Sequence, residues 1–166
     1  MTRRTGHMLF WLLLAGGLAA DLVSKSLVFS FLLRTQGGKF EVWPGVFRLS
    51  LAFNTGGPFS VFMGHNWLLV GVTVVALLVI LYLYVGSVTR GRLLAVIALA
   101  LIAAGALGNL VDRVLYQEVR DFLDFHIINY PVFNVADVFI TVGAVLLAVE
   151  LLRRPGAHVK KAAGAS

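Results

Sequence analysis

The chain contains no cysteine, and this absence removes several kinds of chemistry at once. Disulfide bonds, thiolate nucleophiles and cysteine-held metal sites are all excluded. Charged residues are also scarce, at 13% of the 166 residues, whereas 59% are hydrophobic. A mean hydropathy of +0.89 is far outside the range of a soluble domain. We therefore expect an integral membrane protein.

Four apolar stretches are each close to the roughly 20 residues that a helix needs to cross a bilayer core. They cover about residues 8–33, 67–88, 93–111 and 132–152. The first is long because Asp21 and Lys25 interrupt it. We predict an all-α membrane protein in which residues 1–166 form one domain with four transmembrane helices.

The basic residues predict how these spans are oriented. Eight lie in short segments that four spans would place on one side of the membrane: Arg3, Arg4, Arg90, Arg92, Arg153, Arg154, Lys160 and Lys161. Five lie in the two loops on the other side: Arg34, Lys39, Arg48, Arg113 and Arg120. Lysine and arginine accumulate in cytoplasmic segments, so we expect both termini in the cytoplasm and residues 153–166 to form a basic tail. The same distribution argues against nucleic acid as the partner of this chain, whose net charge is +6.

The segment of about residues 34–66 is too polar to span and is predicted to form a small extracytoplasmic β-hairpin, or cradle, between helices one and two. Residues 40–43 and 46–53 have the composition of two strands around a Pro44-Gly45 turn. In the second strand Phe47, Leu49 and alternate residues beyond them give one apolar face. Such a face suits a hairpin that lies on the membrane.

Two groups of polar residues stand within the apolar stretches. Asp21 and Lys25 are four residues apart, so they share one helix face and can pair. Asn109, Asp112 and Arg113 follow at spacings i, i+3 and i+4. Ionisable groups inside a membrane are costly and favour a functional reading. The alternative is structural: a self-neutralised pair in the first span, and in the third a polar link between helices that includes an Arg113–Asp112 pair.

Asp121 and Asp137 are candidates for an acid–base pair, because no cation beside either is placed to neutralise it. Two carboxylates close together in a low dielectric cannot both ionise easily, so the pKa of one rises. The ionised member can activate a water while the protonated one polarises a carbonyl. Spacing alone leaves two alternatives open, since the two aspartates could be unrelated and Asp124 could be the true partner.

Other chemistries have weaker support. The chain has serines but no Gly-x-Ser-x-Gly nucleophile motif. None of its four histidines lies in a predicted span. His126 could bind zinc with Asp121 or Asp124, but no second histidine lies nearby to complete such a site. We therefore expect neither a metal nor a cofactor. A small proton-coupled transporter that uses the same carboxylates is the alternative function, although such proteins usually show discontinuous helices near the midplane.

Five segments, in order along the chain, carry a resemblance to one family. They are D-x-x-S-K at residues 21–25, N-x-G-x-x-F-S at 54–60, G-A-L-G-N-L-x-D-R at 105–113, V-x-D-F-x-D at 119–124 and F-N-x-A-D at 133–137. The chain resembles lipoprotein signal peptidase, the bacterial type II signal peptidase, which is an aspartic membrane protease. The residues Thr55, Gly57 and Pro58 depart from the aromatic-Gly-Ala-Ala run that is usual in the family.

The resemblance implies a set of site residues. It places the two catalytic aspartates on Asp121 and Asp137. Its substrate-holding or supporting positions fall on Asp21, Lys25, Asn54, Gly56, Asn109, Asp112, Arg113, Asn134 and Ala136. It further implies that the substrates are prolipoproteins, cut just before a cysteine that carries a diacylglyceryl thioether. An enzyme of this kind would lie in the bacterial inner membrane, in contact with lipid, with its site at the extracytoplasmic face. We expect it to act as a monomer.

Overall fold

The computed structural model describes residues 2–56, 64–128 and 130–153. Within these ranges, four helices are long and apolar enough to cross a membrane: α1 (Arg3–Leu32), α2 (Asn66–Thr89), α3 (Leu93–Tyr116) and α4 (Val135–Leu152). The prediction of four transmembrane helices is confirmed. α1 continues unbroken through its polar pair, and α3 extends past the predicted end at residue 111 to Tyr116. The predicted basic tail, apart from Arg153, lies outside the described residues.

α3 is the central helix, and it packs against each of the other three. Its buried face is made of small residues, among them Ala98, Ala103 and Gly105. Small residues let helix backbones approach closely in a membrane, where lipid removes the usual hydrophobic drive for association. At Gly105 a Cβ would collide with the Ala136 carbonyl, and at Gly108 it would collide with the Asp21 carboxylate. These two glycines therefore bring α1 and α4 against the outer end of α3.

Large apolar side chains on α2 and α4 are exposed at the surface of the bundle. Val72, Val75 and Leu78 on α2 are each more than half exposed, as is Val145 on α4. An apolar surface of this extent is uncommon on a soluble protein. It is the surface that a helix presents to lipid.

Three antiparallel strands lie in the loops that follow α1 and α3, in the order β1 (Lys39–Trp43), β2 (Phe47–Asn54) and β3 (Val119–Asp124). The predicted hairpin of β1 and β2 is confirmed, and Gly45 adopts the positive φ of 77° that its turn requires. β3 was not predicted. It follows α3, pairs with β2 and places Asp121 opposite Ala52. The sheet therefore joins the α1–α2 loop and the α3–α4 loop into one structure.

A small apolar cluster attaches this sheet to the helices. Phe29 and Leu32 of α1 are buried against Phe122 of β3. Leu49 and Leu51, from the apolar face of β2, pack on the same cluster. These two residues therefore pack at the end of α1 that carries Phe29 and Leu32. In contrast, β1 is exposed along its whole length, including Phe40 and Trp43. The cluster fixes β3 relative to the helices.

Candidate active site

Asp121 and Asp137 reach one site from different elements. Asp121 lies on β3 and is 2% exposed, and Asp137 lies in the first turn of α4. Both line a cavity of about 470 Å³, together with Asn54, Asn109 and Arg113. The structure thus brings together five residues that the resemblance selected from four separate segments.

Asn134 connects the two carboxylates. As the N-cap of α4 it accepts the N–H of Asp137 on its side-chain oxygen, and its own N–H donates to Asp137 Oδ2, each at 3.1 Å. This reciprocal arrangement is a capping box, which satisfies donors that a helix start leaves free. The Asn134 amide nitrogen then donates to Asp121 Oδ1 at 2.6 Å and to Asn109 Oδ1 at 3.1 Å.

Asp137 accepts a hydrogen bond on each of its side-chain oxygens. Its Oδ1 accepts the Asn109 amide at 2.9 Å, and its Oδ2 accepts the Asn134 N–H. Both oxygens are therefore engaged as acceptors. The start of α4 adds a favourable dipole, because helix N-termini stabilise nearby anions.

Asp121 is in a different environment. Burial is the larger cause, and the charge of Asp137 the next, that raises the pKa of Asp121 to about 7. Hydrogen bonds from Asn54 and Asn134 lower that pKa but do not cancel the rise. The Asn54 amide donates to Asp121 Oδ2 at 3.1 Å. Gly56 orients that amide, because its N–H binds Asn54 Oδ1 at 3.1 Å. A pKa of about 7 leaves the carboxyl group of Asp121 about half protonated near neutral pH.

A fully buried ion cluster between α1 and α3 supports the site. Lys25 Nζ lies 2.8 Å from Asp21 Oδ2 and 3.5 Å from Asp112 Oδ2, and all three side chains have zero exposure. Lys25 also donates to Asn109 Oδ1 at 3.0 Å. Because that oxygen faces Lys25, the Asn109 amide nitrogen must face Asp137.

Asp21 extends the cluster to α4. Its Oδ1 accepts the backbone N–H of Ala136 at 2.9 Å, which is one of the donors left free in the first turn of that helix. Ala136 has zero exposure, so a larger side chain there would have no room. Asp21 thus holds the turn of α4 that carries Asp137.

The structure corrects the expected partner of Asp112. Asp112 binds Arg120, with Arg120 Nη2 at 2.7 Å from Oδ1 and the Arg120 backbone N–H at 3.0 Å from Oδ2. Adjacent residues on a helix do not face each other, which is why Arg113 is not the partner. This pair fixes the residue directly before Asp121.

Arg113 instead points into the cavity. It is 7% exposed, and its Nε has no hydrogen-bond partner among the described residues. A buried donor without a partner is costly, and the side chain that carries it lines the cavity. The guanidinium offers donors for a carbonyl or carboxylate oxygen and stays protonated.

Asp124, the alternative partner of Asp121, is bound by two residues of β2. Arg48 Nε lies 2.6 Å from Asp124 Oδ2 and Ser50 Oγ lies 2.9 Å from it. Burial acts against the charged form, but these two hydrogen bonds outweigh it and hold the pKa of Asp124 below its usual value. His126 lies 3.9 Å from Glu41, and no three His, Asp or Glu side chains in the described ranges are grouped to hold a metal. The zinc alternative therefore has no ligand set in that part of the chain.

Sequence reasoning missed some functional contacts. It did not find Arg120 as the partner of Asp112, or the bond between Lys25 and Asn109, which are 84 residues apart. No local signal could have revealed either contact. The departing loop residues Gly57 and Pro58 lie outside the described residues, whereas Thr55 lies within them.

The two carboxyl groups, one buried on β3 and one half-buried in the first turn of α4, have unequal environments, as expected of a membrane-embedded aspartic peptidase. Comparison with known proteins agrees. A family model described as signal peptidase (SPase) II matches residues 13–153. A lipoprotein signal peptidase of Gloeothece citriformis (strain PCC 7424) is 42% identical over 143 residues, covering 83% of this chain and 85% of the relative. One of Ectopseudomonas mendocina (strain ymp) is 38% identical over 157 residues, covering 90% and 91%.

A solved structure, described as a bacterial membrane enzyme studied by the in meso method, is also similar. It matches with a TM-score of 0.74 and 30% sequence identity, over 88% of this chain and 94% of that chain. The chain belongs to the signal peptidase II family. It is thus an aspartic-type endopeptidase and a multi-pass bacterial membrane protein, and the resemblance found in the sequence is confirmed.

Proposed function

We propose that this enzyme removes the signal peptide from prolipoproteins by cutting immediately before a diacylglyceryl-modified cysteine, with Asp121 and Asp137 activating a water. The observation that carries the proposal is the unequal pair itself. Asp137 accepts hydrogen bonds on both oxygens, while burial raises the pKa of Asp121 to about 7. Membership of the signal peptidase II family supports the substrate class.

The reaction divides between the two carboxyl groups. Ionised Asp137 takes a proton from water, whose oxygen bonds to the scissile carbonyl carbon, while Asp121 gives its proton to the carbonyl oxygen. The tetrahedral intermediate then collapses as Asp137 passes its proton to the leaving nitrogen and the C–N bond breaks. Asp121 recovers a proton as the new carboxyl forms. The pair returns to its starting state after one water is consumed.

The surrounding polar residues would hold the substrate and the pair without transferring protons. Arg113 is placed to donate to a substrate backbone carbonyl, since its side chain lines the cavity together with both aspartates. Asn54, Asn109 and Asn134 each donate an amide to one of the two aspartates. Amides have no titratable proton in the working range, so these residues fix geometry.

The cavity suits a substrate that arrives from the lipid. Below its polar end it is walled by apolar or small residues from three helices, among them Leu69 and Ile80 of α2, Ile102 of α3 and Ile140 of α4. An apolar signal helix could lie along this wall with its cleavage point at the aspartates. The transporter alternative finds no support, because each of the four described spans is one continuous helix.

The site is proposed to face outward with both termini in the cytoplasm. The excess of arginine and lysine in the short segments beside Arg3, Arg90 and Arg153 supports this orientation. Single cysteines at Lys39 and Arg90 test it without background, since the chain has none of its own. In intact cells a membrane-impermeant thiol reagent should label position 39 and spare position 90. The reverse pattern would invert the topology.

Incubation with a substrate tests the activity directly. Purified enzyme would receive a synthetic prolipoprotein peptide with a diacylglyceryl-cysteine, and a second peptide of the same sequence without the lipid. Mass spectrometry should show cleavage only of the lipidated peptide, at the bond before the cysteine. Cleavage of both at equal rates would overturn the proposed specificity, and cleavage of neither would overturn the proposed function.

A further inference from the structure

Asn66 links the start of α2 to the end of α3. It is the first residue of α2, and its side-chain amide nitrogen lies 3.0 Å from the backbone oxygen of Arg113 and 3.1 Å from Oε1 of Gln117. An asparagine amide carries two N–H donors, so both hydrogen bonds can form at once. Asn66 lies outside the five segments on which the resemblance rests. We call this pair of hydrogen bonds the Asn66 link.

The link satisfies a backbone group at the end of a helix. The last four carbonyl oxygens of an α-helix lack a partner within it, and Arg113 lies in the last turn of α3, which ends at Tyr116. Gln117 then turns the chain out of the helix with a positive φ of 65°. Asn66 therefore caps α3 from another element, at the turn that carries Arg113.

That turn also carries part of the candidate active site. Arg113 lines the cavity together with Asp121 and Asp137, and it is only 7% exposed. A side chain moves with its own backbone. A hydrogen bond that holds the Arg113 carbonyl therefore also holds the point from which the guanidinium group reaches into the cavity.

The other side of the link is a wall of the same cavity. Leu69 and Thr73 follow Asn66 on α2, and both line the cavity. Little other packing holds this half of α2, because the next buried residue of the helix after Leu69 is Ile80, roughly three turns further along. The hydrogen bond from Asn66 therefore sets how far this wall stands from Arg113.

We propose that Asn66 is a positioning residue of the peptidase site, which holds Arg113 relative to the α2 wall so that its guanidinium group meets a substrate carbonyl. This inference rests on the proposed function, because it assumes that Arg113 binds the substrate backbone. Asn66 is not among the described residues that line the cavity, so its effect reaches the substrate through Arg113. Small displacements of a group that orients a substrate lower the rate of the reaction.

A double-mutant cycle separates this role from a purely structural one. Asn66→Leu keeps a side chain of similar size and removes both donors, and it would be made in the wild type and in Arg113→Ala. Gln117→Gly is the matched control, because it removes one acceptor of the link, suits the positive φ and leaves the bond to Arg113 in place. The readout is kcat/KM for the diacylglyceryl-modified peptide, with unfolding midpoints in detergent measured alongside.

We expect Asn66→Leu to lower kcat/KM about fivefold or more in the wild type, as the loss of one hydrogen bond does, and less than about twofold in Arg113→Ala. Gln117→Gly should stay within about twofold of the wild type. The same loss in both backgrounds, no loss in the wild type, or an equal loss in Gln117→Gly would overturn the inference.

Two further substitutions keep the test decisive. Asn66→Ala repeats the cycle, with the same expectation, if Asn66→Leu does not fold. Arg113→Lys replaces Arg113→Ala if the residual rate of that variant is too low to measure. A wild type that fails to cleave the lipidated peptide would instead refute the proposed function.

Discussion

Asn134 donates its side-chain amide to Asp121 across 2.6 Å, although the two residues are 13 positions apart and lie on different elements. The backbone N–H of the same asparagine binds Asp137 at 3.1 Å. One residue therefore sets the positions of both carboxyl groups. The cap that starts α4 and the alignment of the proposed catalytic pair are a single arrangement.

These two roles of Asn134 can be separated by substitution. Asn134→Ser keeps a good N-cap, so stability should fall by less than about 0.5 kcal/mol from the capping loss, whereas Asn134→Ala should lose roughly 1 kcal/mol more. Serine is too short to reach Asp121, so both variants should lose at least about tenfold in kcat. Thermal unfolding in detergent and steady-state cleavage would measure the two effects. Full activity in Asn134→Ser would contradict the alignment role.

The raised pKa of Asp121 predicts how activity depends on pH. The proposed acid must be protonated, so kcat/KM should fall as pH rises through about 7. The stability of the fold should change in the same direction. The folded state holds a proton on Asp121 up to a pH of about 7, whereas the unfolded state releases it near the ordinary pKa of 3.8. The free energy of unfolding should therefore decline as pH rises from 3.8 toward 7. Asp124→Asn is the control, because Asp124 is paired with Arg48 outside the cavity. An alkaline limb that disappeared in this control would contradict the assignment.

The neighbouring arginines predict opposite phenotypes. Arg120→Ala leaves the buried carboxylate of Asp112 with Lys25 alone, which it shares with Asp21, and should destabilise the fold by roughly 3 kcal/mol, because breaking a buried ion pair is costly. Arg113→Ala removes an unpaired buried donor, so it should keep the fold and lower kcat/KM by tenfold or more. Unfolding midpoints and cleavage rates would be compared side by side. A folded, active Arg120→Ala or a collapsed Arg113→Ala would exchange the two roles.

Helix packing at Gly105 gives a prediction about stability. An alanine there would meet the Ala136 carbonyl and the Ile140 side chain at 2.8 Å, so α3 and α4 would have to separate. Gly105→Ala should cost about 1–3 kcal/mol, as overpacked sites do. Gly86→Ala on α2 is the matched control, because a Cβ there meets nothing within 4 Å. Equal stability of the two variants would show that the α3–α4 contact is less close than described.

The spans and the hairpin could be predicted because their signals are local. Apolar length fixes a transmembrane helix, and the Pro44-Gly45 turn with flanking alternation fixes a two-stranded hairpin. β3 gave no such signal. Its pattern is interrupted by Asp121 and Asp124, which are buried only because other elements supply their partners.

The site was only partly predictable for the same reason. Spacing could not choose between Asp137 and Asp124 as the partner of Asp121, since the decision depends on Arg48, which is 76 residues from Asp124. The resemblance supplied the choice, and the structure supplied its physical basis. The pairing of Asp112 with Arg120 likewise follows from the tertiary fold, because β3 returns to the end of α3.

Cleavage of a diacylglyceryl-modified prolipoprotein peptide by three single variants tests the central claim most directly. Asp121→Asn and Asp137→Asn should each lower kcat by roughly 10²–10⁴, because an amide can neither give nor take the proton. They should reach a similar floor, since the pair acts as a unit. Asp124→Asn, whose carboxyl group lies outside the cavity, should retain activity within a few-fold of wild type. Near-normal turnover by Asp121→Asn or Asp137→Asn, or a loss in Asp124→Asn as large as theirs, would contradict the two-aspartate site described above.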